Sequence, residues 1–445
     1  MQQNATAPLL VVRSPPGGRA RRSRARGRRL TRAPGAPAGY AHAVIDASAW
    51  RRDFPALDVP VHGRRLAYLD SASTALKPRA VIDAVVRVFT HEAGNVHRGV
   101  HALSEAATAA FDRAREAAAA FLGAAPGEIV LVRGATEAIN LVAHSWGRGH
   151  VGPGDAVVAT ALEHHSNLVP WQALCAERGA RLRIAPVDDA GRLDLAALAA
   201  LLDGPVKLVA VSHLSNVAGT IAPIAEICRL AHAAGAVVLV DGAQAAAHLP
   251  VDVAALGCDF YALSGHKLYA PTGAGVLWGR RALLEAMPPW QTGGEMVASV
   301  TYEAARYREP PYRFEAGTPD IAGVIGLGAA LAYLGALDRA AVMRHEARLH
   351  ARLRAALEST AGVRVLGAPE AAVVAFAVAG AHPHDVATIL DREGVAIRAG
   401  HHCAEPLHHR LGAPASARAS LALYNDDADV DALIAGLARV RRVLR

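Results

Sequence analysis

From residue 129 to residue 267 the sequence repeats one unit, a short apolar run that closes in small or polar residues and is followed by helix-like spacing. The runs are Ile129–Val132, Val157–Thr160, Val206–Val211, Ala236–Val240 and the stretch Cys258–Lys267. Strands that alternate with helices need crossover connections, which build a largely parallel sheet with helices on both faces. The expected fold class is therefore α/β. The same constraint says where chemistry belongs, because open sheets of this kind bind ligands beyond the carboxyl ends of their strands.

Two of those ends carry a complementary pair. The last run closes in Ser264-Gly265-His266-Lys267, which has no hydrophobic periodicity to serve, and the run before it closes in Asp241, followed by Gly242-Ala243-Gln244. A lysine and a carboxylate so placed suit pyridoxal 5′-phosphate: the amine bonds the cofactor's aldehyde and the acid keeps its pyridine nitrogen protonated. Taken singly, the same residues also read as a solvated loop lysine and a helix cap. Upstream, Arg133-Gly134-Ala135-Thr136-Glu137-Ala138 opens a helix expected to run to Trp146, with free N–H groups and a positive dipole end that suit a phosphate. An ordinary capped helix fits those residues too. The loop Glu163-His164-His165-Ser166-Asn167 invites a zinc reading, but adjacent histidines diverge on any regular element, and a flat imidazole stacked on a planar cofactor is the better use.

The formal charge of +7 raises a nucleic-acid or membrane partner until its position is read. Residues 1–40 hold nine arginines and no acid; the 47 basic residues less those nine leave 38 against 40 acidic ones, so the body is nearly neutral. A Pro/Gly-rich basic arm cannot bury enough apolar surface to order itself, and residues 1–45 are expected to be disordered. An organelle transit peptide has this composition. A start site upstream of the true one would also explain the arm, and a nucleic-acid arm is disfavoured by the lack of interleaved aromatics. No run approaches the ~20 apolar residues of a membrane span. The four cysteines are too scattered for a disulfide framework, and a reducing, cytoplasmic setting is expected.

Flanking segments add further candidates. Leu66–Asp70 reads as a strand leading into Ser71-Ala72-Ser73-Thr74, and Asn95-Val96-His97-Arg98-Gly99-Val100-His101 as a polar loop before a helix from about Ser104 to Leu122. Residues 291–319 form a long Gly/Pro-rich aromatic loop. Connector helices then lead to a smaller α/β domain with strands near Val373–Val378 and Val395–Arg398. In it lie Arg398-Ala399-Gly400-His401-His402-Cys403 and Ala417-Arg418-Ala419. A lone cysteine among histidines and arginines, between glycine and proline, reads as a nucleophile on a mobile loop; the spacing of Cys403 with His401, His402, His408 and His409 matches no usual zinc pattern. The domains expected are 46–335, binding the cofactor, and 336–445, carrying the cysteine loop.

Together, Ser-Gly-His-Lys267, Val-Asp241-Gly-Ala-Gln244, Arg-Gly-Ala-Thr136-Glu, Glu-His164-His-Ser-Asn and Arg-Ala-Gly-His-His-Cys403 resemble one family from about Phe54 to the C-terminus. It is the Suf-type (group II) cysteine desulfurases, in the class V aminotransferase branch of fold-type I pyridoxal-phosphate enzymes. The Gly-His-His-Cys loop is the specific part of the match. The resemblance implies that Lys267 bonds the cofactor, Asp241 meets the pyridine nitrogen, Gln244 the ring oxygen, and His164 stacks on the ring. Thr136, Ser264 and His266 would hold the phosphate, with Ala135 where a hydroxyl residue is common. Thr318 would come from the partner of a homodimer. Arg418, with Asn216 and Arg398, would fix the substrate carboxylate, and His97 and His101 fall in the active-site loop. Cys403 would take sulfur from L-cysteine, leaving L-alanine and a persulfide for a Suf-type acceptor protein in iron–sulfur cluster assembly. A selenocysteine lyase is the nearest alternative, and a catalytically silent scaffold the more distant one. Deleting residues 1–45 is expected to leave thermal stability and turnover unchanged, measured side by side with the full chain.

Overall fold

A computed structural model describes residues 47–444; the basic tail read over 1–45 lies outside them. Seven strands form the central sheet: β1 (Ile129–Val132), β2 (Ala156–Thr160), β3 (Arg181–Ala185), β4 (Val206–Ser212), β5 (Val237–Asp241), β6 (Phe260–Ser264) and β7 (Gly275–Gly279). Their order is β1-β7-β6-β5-β4-β2-β3. β7 pairs antiparallel with both neighbours, and the other contacts are parallel. Successive side chains of a strand point to opposite faces, and here both faces are buried. Val238, Val240, Tyr261 and Leu263 enter one core, whereas Leu239, Phe260 and Ala262 enter the other. That two-sided burial is why these strands read as unbroken apolar runs rather than as alternating ones. Ala102–Leu122 and Ile321–Ala336 supply side chains to the first core, and Ala135–Val142 and Val169–Arg178 to the second.

A second, wholly antiparallel sheet contains β8 (Val363–Val365), β9 (Val373–Val378), β10 (Arg398–Gly400) and β11 (Ser416–Ser420), in the order β8-β9-β11-β10. Its register sets Arg398 directly opposite Arg418. The N-terminal segment joins this half: Ala67–Tyr68 pairs with Val395–Ala396, Asp70 bridges to Ser420, and Ala67 and Leu69 lie in the core of the second sheet. Two helices, Ile321–Ala336 and Arg339–Ser359, lead into this half, as the connector reading expects.

Two readings need correction. The edge strand β3 went unnoticed because Arg181 and Arg183 interrupt its apolar pattern on an edge that tolerates charge. The stretch 291–319 is not all loop; Val297–Val300 and Ala305–Tyr307 form a hairpin whose exposed residues gave no buried signature. The helix expected to reach Trp146 does so: it is regular over Ala135–Val142 and continues as a wider helical turn, Ala143–Gly147.

Gly275 shows how tightly the sheet is joined to the helix start beside it: a Cβ there would lie 2.5 Å from the Gly134 Cα and 2.7 Å from the Leu263 carbonyl oxygen. Both obstacles are backbone, which cannot swing aside. Gly275→Ala is expected to cost about 1–3 kcal/mol of stability, read as a lowered urea midpoint.

Candidate active site

The carboxyl ends of β4, β5 and β6, the start of the helix Ala135–Val142, and β10 and β11 of the second sheet enclose a cavity of about 180 Å³. Asp241 is the last residue of β5. Lys267 leaves β6 through a single tight turn, Gly265–Lys267, and what remains accessible of it lines the cavity. Burial lowers the Lys267 amine from 10.5 to about 8, against the upward pull of Asp241, while Arg418 and Arg398 push it further down. Burial raises the Asp241 carboxyl, and the Lys267 charge and the Ala243 N–H, 2.9 Å from Oδ1, pull it back.

The helix start closes one side of the cavity. The Ala135 N–H donates to Ser264 Oγ at 2.9 Å, and Thr136 Oγ1 lies 2.7 Å from Ser166 Oγ. His266 lines the same wall; its imidazole is lowered to about 4 by burial, then by Lys267 and Lys77. His164 Nδ1 accepts the Ser166 N–H at 3.1 Å, so its ring is held by the loop that carries it. Burial first, then the charge of Lys267, lowers it to about 3, and it stays neutral. Gln244 donates from Nε2 to the Ala72 carbonyl at 2.9 Å.

Opposite lie two guanidinium groups. Arg418, 1% exposed, donates from Nη2 to Ser73 Oγ at 2.9 Å and to Asp70 Oδ1 at 3.3 Å, and from Nη1 to the Asn216 carbonyl at 3.2 Å. Arg398 Nη1 reaches the same Ser73 Oγ at 3.1 Å. Burial lowers Arg418 to about 10, with Asp70 opposing and Arg398 adding. Asp70 pairs with Arg418, and Arg398 reaches only Ser73 Oγ and Cys403 Sγ, so two cations stand beside one carboxylate and the site favours a further anion.

Four expected residues lie apart from this cavity. Cys403 stands beside it, with Arg398 Nη2 at 3.9 Å from Sγ; its carbonyl accepts the His165 N–H at 2.7 Å, and both it and His402 have positive φ, 56° and 51°. Thr318 is exposed in a separate concavity with Leu131, Gln291 and Glu315. His97 faces Asp112 at 3.1 Å and Phe111, and His101 caps the helix Ala102–Leu122.

The structure adds residues that sequence reasoning did not assign. Ser73 bridges both guanidinium groups and donates to Asp70 at 2.6 Å; its small-polar loop was visible, but not its partners. Lys77 donates to the carbonyls of Ala75 and His266 and to Thr74 Oγ1, tying the turn that bears Lys267 to the N-terminal segment. His402 lines the cavity rather than merely preceding the cysteine.

Glu163 is buried beneath His164 and accepts from Ser212 N–H at 3.0 Å, Ser212 Oγ at 2.6 Å, Asn167 Nδ2 at 2.6 Å and Thr160 Oγ1. Burial nonetheless raises it from 4.5 to about 7, the four donors only partly offsetting the desolvation. A carboxyl with a raised folded-state value holds its proton after the unfolded chain has released one, so stability falls as pH rises from 4.5 to 7. One pKa unit is about 1.4 kcal/mol, which makes this fall about 3 kcal/mol. Glu163→Gln is expected to flatten that limb of the urea-midpoint profile; a variant curve parallel to wild type would refute it.

The donor set suits pyridoxal phosphate. An amine and a buried carboxylate stand on adjacent strand ends, a helix start with Ser264 and Thr136 stands to one side, and a neutral imidazole lines the same cavity. A model of the Aminotransferase class-V family matches residues 67–433. A cysteine desulfurase of Dickeya dadantii is 53% identical over 88% of this chain and 96% of its own. The crystal structure of the cysteine desulfurase CsdA of Escherichia coli, in an S-sulfonic acid form, superposes with a TM-score of 0.85 at 42% identity, covering 90% of this chain and all of that one. The apo cysteine desulfurase of Thermococcus onnurineus gives 0.85 at 38% identity, over 89% and 98%. With this fold, this cavity and these relatives, the chain belongs to the class-V aminotransferase family, among its cysteine desulfurases.

Proposed function

We propose that this chain is a cysteine desulfurase of the Suf-type, group II kind, which converts L-cysteine to L-alanine and carries the sulfur as a persulfide on Cys403. One observation supports this most: an amine–carboxylate pair and two guanidinium groups line one cavity, and the most exposed of the four cysteines stands at its edge. Cys175, Cys228 and Cys258 are buried, and burial pushes their thiols up, Cys228 to about 12.

Pyridoxal 5′-phosphate is the cofactor; bound, it serves as an electron sink for the substrate's Cα. Lys267 would hold it and, once released, move the Cα proton; an amine near 8 is matched to that task. Asp241 would meet the pyridine nitrogen, Gln244 the ring oxygen, and His164 the ring face. Ser264, Thr136, Ala135 and His266 would cradle the phosphate. Arg418 and Arg398, with Asn216, would fix the substrate carboxylate. Cys403 Sγ then forms a bond to the substrate sulfur as the C–S bond breaks; sulfur keeps its proton, and the carbon fragment gains one to become alanine.

The backbone bonds of Cys403, and the helix Glu405–Arg410 that begins two residues later, tether the thiol. A persulfide held there needs an acceptor protein that comes to it, which we take to be of the Suf type, serving iron–sulfur cluster assembly. Thr318 and His97 stand outside their own chain's cavity, which supports a homodimer in which these loops serve the partner's site. We read the enzyme as cytoplasmic and its domains as 46–335 and 336–445.

The test compares two variants. Lys267→Ala is expected to fold but lose the cofactor's visible absorbance and all alanine formation. Cys403→Ala is expected to keep the absorbance and to lose cysteine turnover by about a thousandfold or more, since no thiol receives the sulfur. Selenocysteine, whose C–Se bond is weaker, separates the lyase alternative, which retains that turnover. Unchanged cysteine turnover in Cys403→Ala, or wild-type persulfide found by mass spectrometry on another cysteine, would overturn the assignment.

A further inference from the structure

The segment Gly293-Gly294-Glu295 sets a charged residue where the backbone is left-handed: Glu295 has a φ of 69°, and its side chain is only 13% exposed. A non-glycine residue keeps that conformation where its surroundings over-determine it, and such positions tend to carry a task. The Glu295 carboxylate gathers side chains from two other segments. Oε2 accepts from Arg98 Nε at 2.7 Å, Oε1 accepts from Arg308 Nη1 at 3.1 Å, and His97 Nδ1 stands 3.7 Å from Oε1. The same Arg308 nitrogen also donates to the Glu295 carbonyl at 3.2 Å.

The backbone beside it reaches a further segment. The Gly294 carbonyl accepts the Gly317 N–H at 2.9 Å, one residue before Thr318. Side chains repeat the link: the Arg308 guanidinium lies 4.0 Å from the centre of the Tyr312 ring, and His97 meets the same ring edge-on at 5.9 Å. Arg98 by itself is 57% exposed, and an exposed ion pair contributes little. Several partners on one largely buried carboxylate are a different matter, because the 95–101 loop, the base of the hairpin and the 314–319 loop then share one anchor. His97, Glu295, Arg308 and Thr318 line no part of their own chain's cavity, so what the anchor positions acts elsewhere.

We propose that Glu295 is a positioning residue that fixes the 95–101 and 314–319 loops in the arrangement the neighbouring protomer's cofactor site needs. The proposal rests on the reading given above, that Thr318 and His97 serve the partner's site. Its consequence is directional: the carboxylate acts on the other protomer's site and leaves its own alone. A residue that only stabilised the fold of its chain would weaken both.

The test uses holoenzyme heterodimers, purified through two different tags, in which one protomer carries Lys267→Ala and only the other has a working site. Glu295→Gln, which keeps the shape and removes the charge, is placed in one protomer or the other, and each heterodimer is dialysed against a series of pyridoxal phosphate concentrations. Borohydride then fixes the cofactor to Lys267, and mass spectrometry of the tagged chains reads the loaded fraction. In the Lys267→Ala protomer, Glu295→Gln is expected to raise the half-loading concentration about tenfold, the worth of one hydrogen bond to a charged group, and to lower kcat/KM for L-cysteine. In the Lys267-bearing protomer the same substitution is expected to leave both readings unchanged. An equal loss in the two arrangements, a loss only in the second, or no loss in either overturns the proposal. Thr318→Val in the same two arrangements tells the levels apart. If it weakens loading from the Lys267→Ala protomer while Glu295→Gln does not, the positioning role alone fails; if it acts in neither arrangement, or only within the Lys267-bearing protomer, the homodimer reading fails with it.

Discussion

The placement of Lys267 against Asp241 is the constraint on which the rest depends. An ammonium and a carboxylate withdrawn from water are each costly, and each is tolerated because the other is near. Asp241 pairs in register with Ala262, and Lys267 follows Ser264 by one short turn. The two charges can act on each other only if β5 and β6 are neighbours and their ends level. Levelness in turn requires a sheet buried on both faces, in which odd and even residues of each strand enter separate cores. A one-residue slip of β6 would carry the lysine away from its acid and turn Tyr261 and Leu263 into the wrong core.

The second sheet answers a different electrostatic demand. Its register places Arg398 opposite Arg418, a like-charge pair that cross-strand geometry alone disfavours. Ser73 and Asp70 reduce the repulsion without neutralising it. Both belong to the N-terminal segment, which pairs with the second half at 67–70 and, through Lys77, holds the turn that carries Lys267. The surplus positive charge is stored binding energy for an anion, and the segment that moderates it also registers the two halves.

Much of this was legible in the sequence, and the reasons are physical. β5, β6 and the acid and amine at their ends were readable because doubly buried strands carry an unmistakable apolar run and polar residues then mark where each stops. β3 and the hairpin at 297–307 were not, since exposed strands owe their pairing to backbone bonds that composition does not record. Among the residues the sequence singles out, most of those in contiguous motifs line one cavity, whereas Ser73 and Lys77 act through partners far along the chain. Thr318 and His97 differ again: neither lines the cavity of its own chain, so nothing in the single chain's geometry assigns them a part in it.

Sulfur chemistry places a last demand, that the thiol stand at the edge of the cavity rather than inside it. A cysteine among the cofactor-binding groups could receive sulfur but not pass it on. Cys403 reaches its edge position through two consecutive residues in the left-handed region, a conformation that only surrounding contacts sustain. The Asn216 bond to the His402 carbonyl and the His165 bond to the Cys403 carbonyl supply them, one from the loop after β4 and one from the loop after β2. The loop is therefore braced by the same strand ends that define the cofactor site. The amine is placed by the sheet and the cysteine by the loop, and a left-handed turn held in this way fixes Cys403 at the cavity's edge, within reach of Arg398.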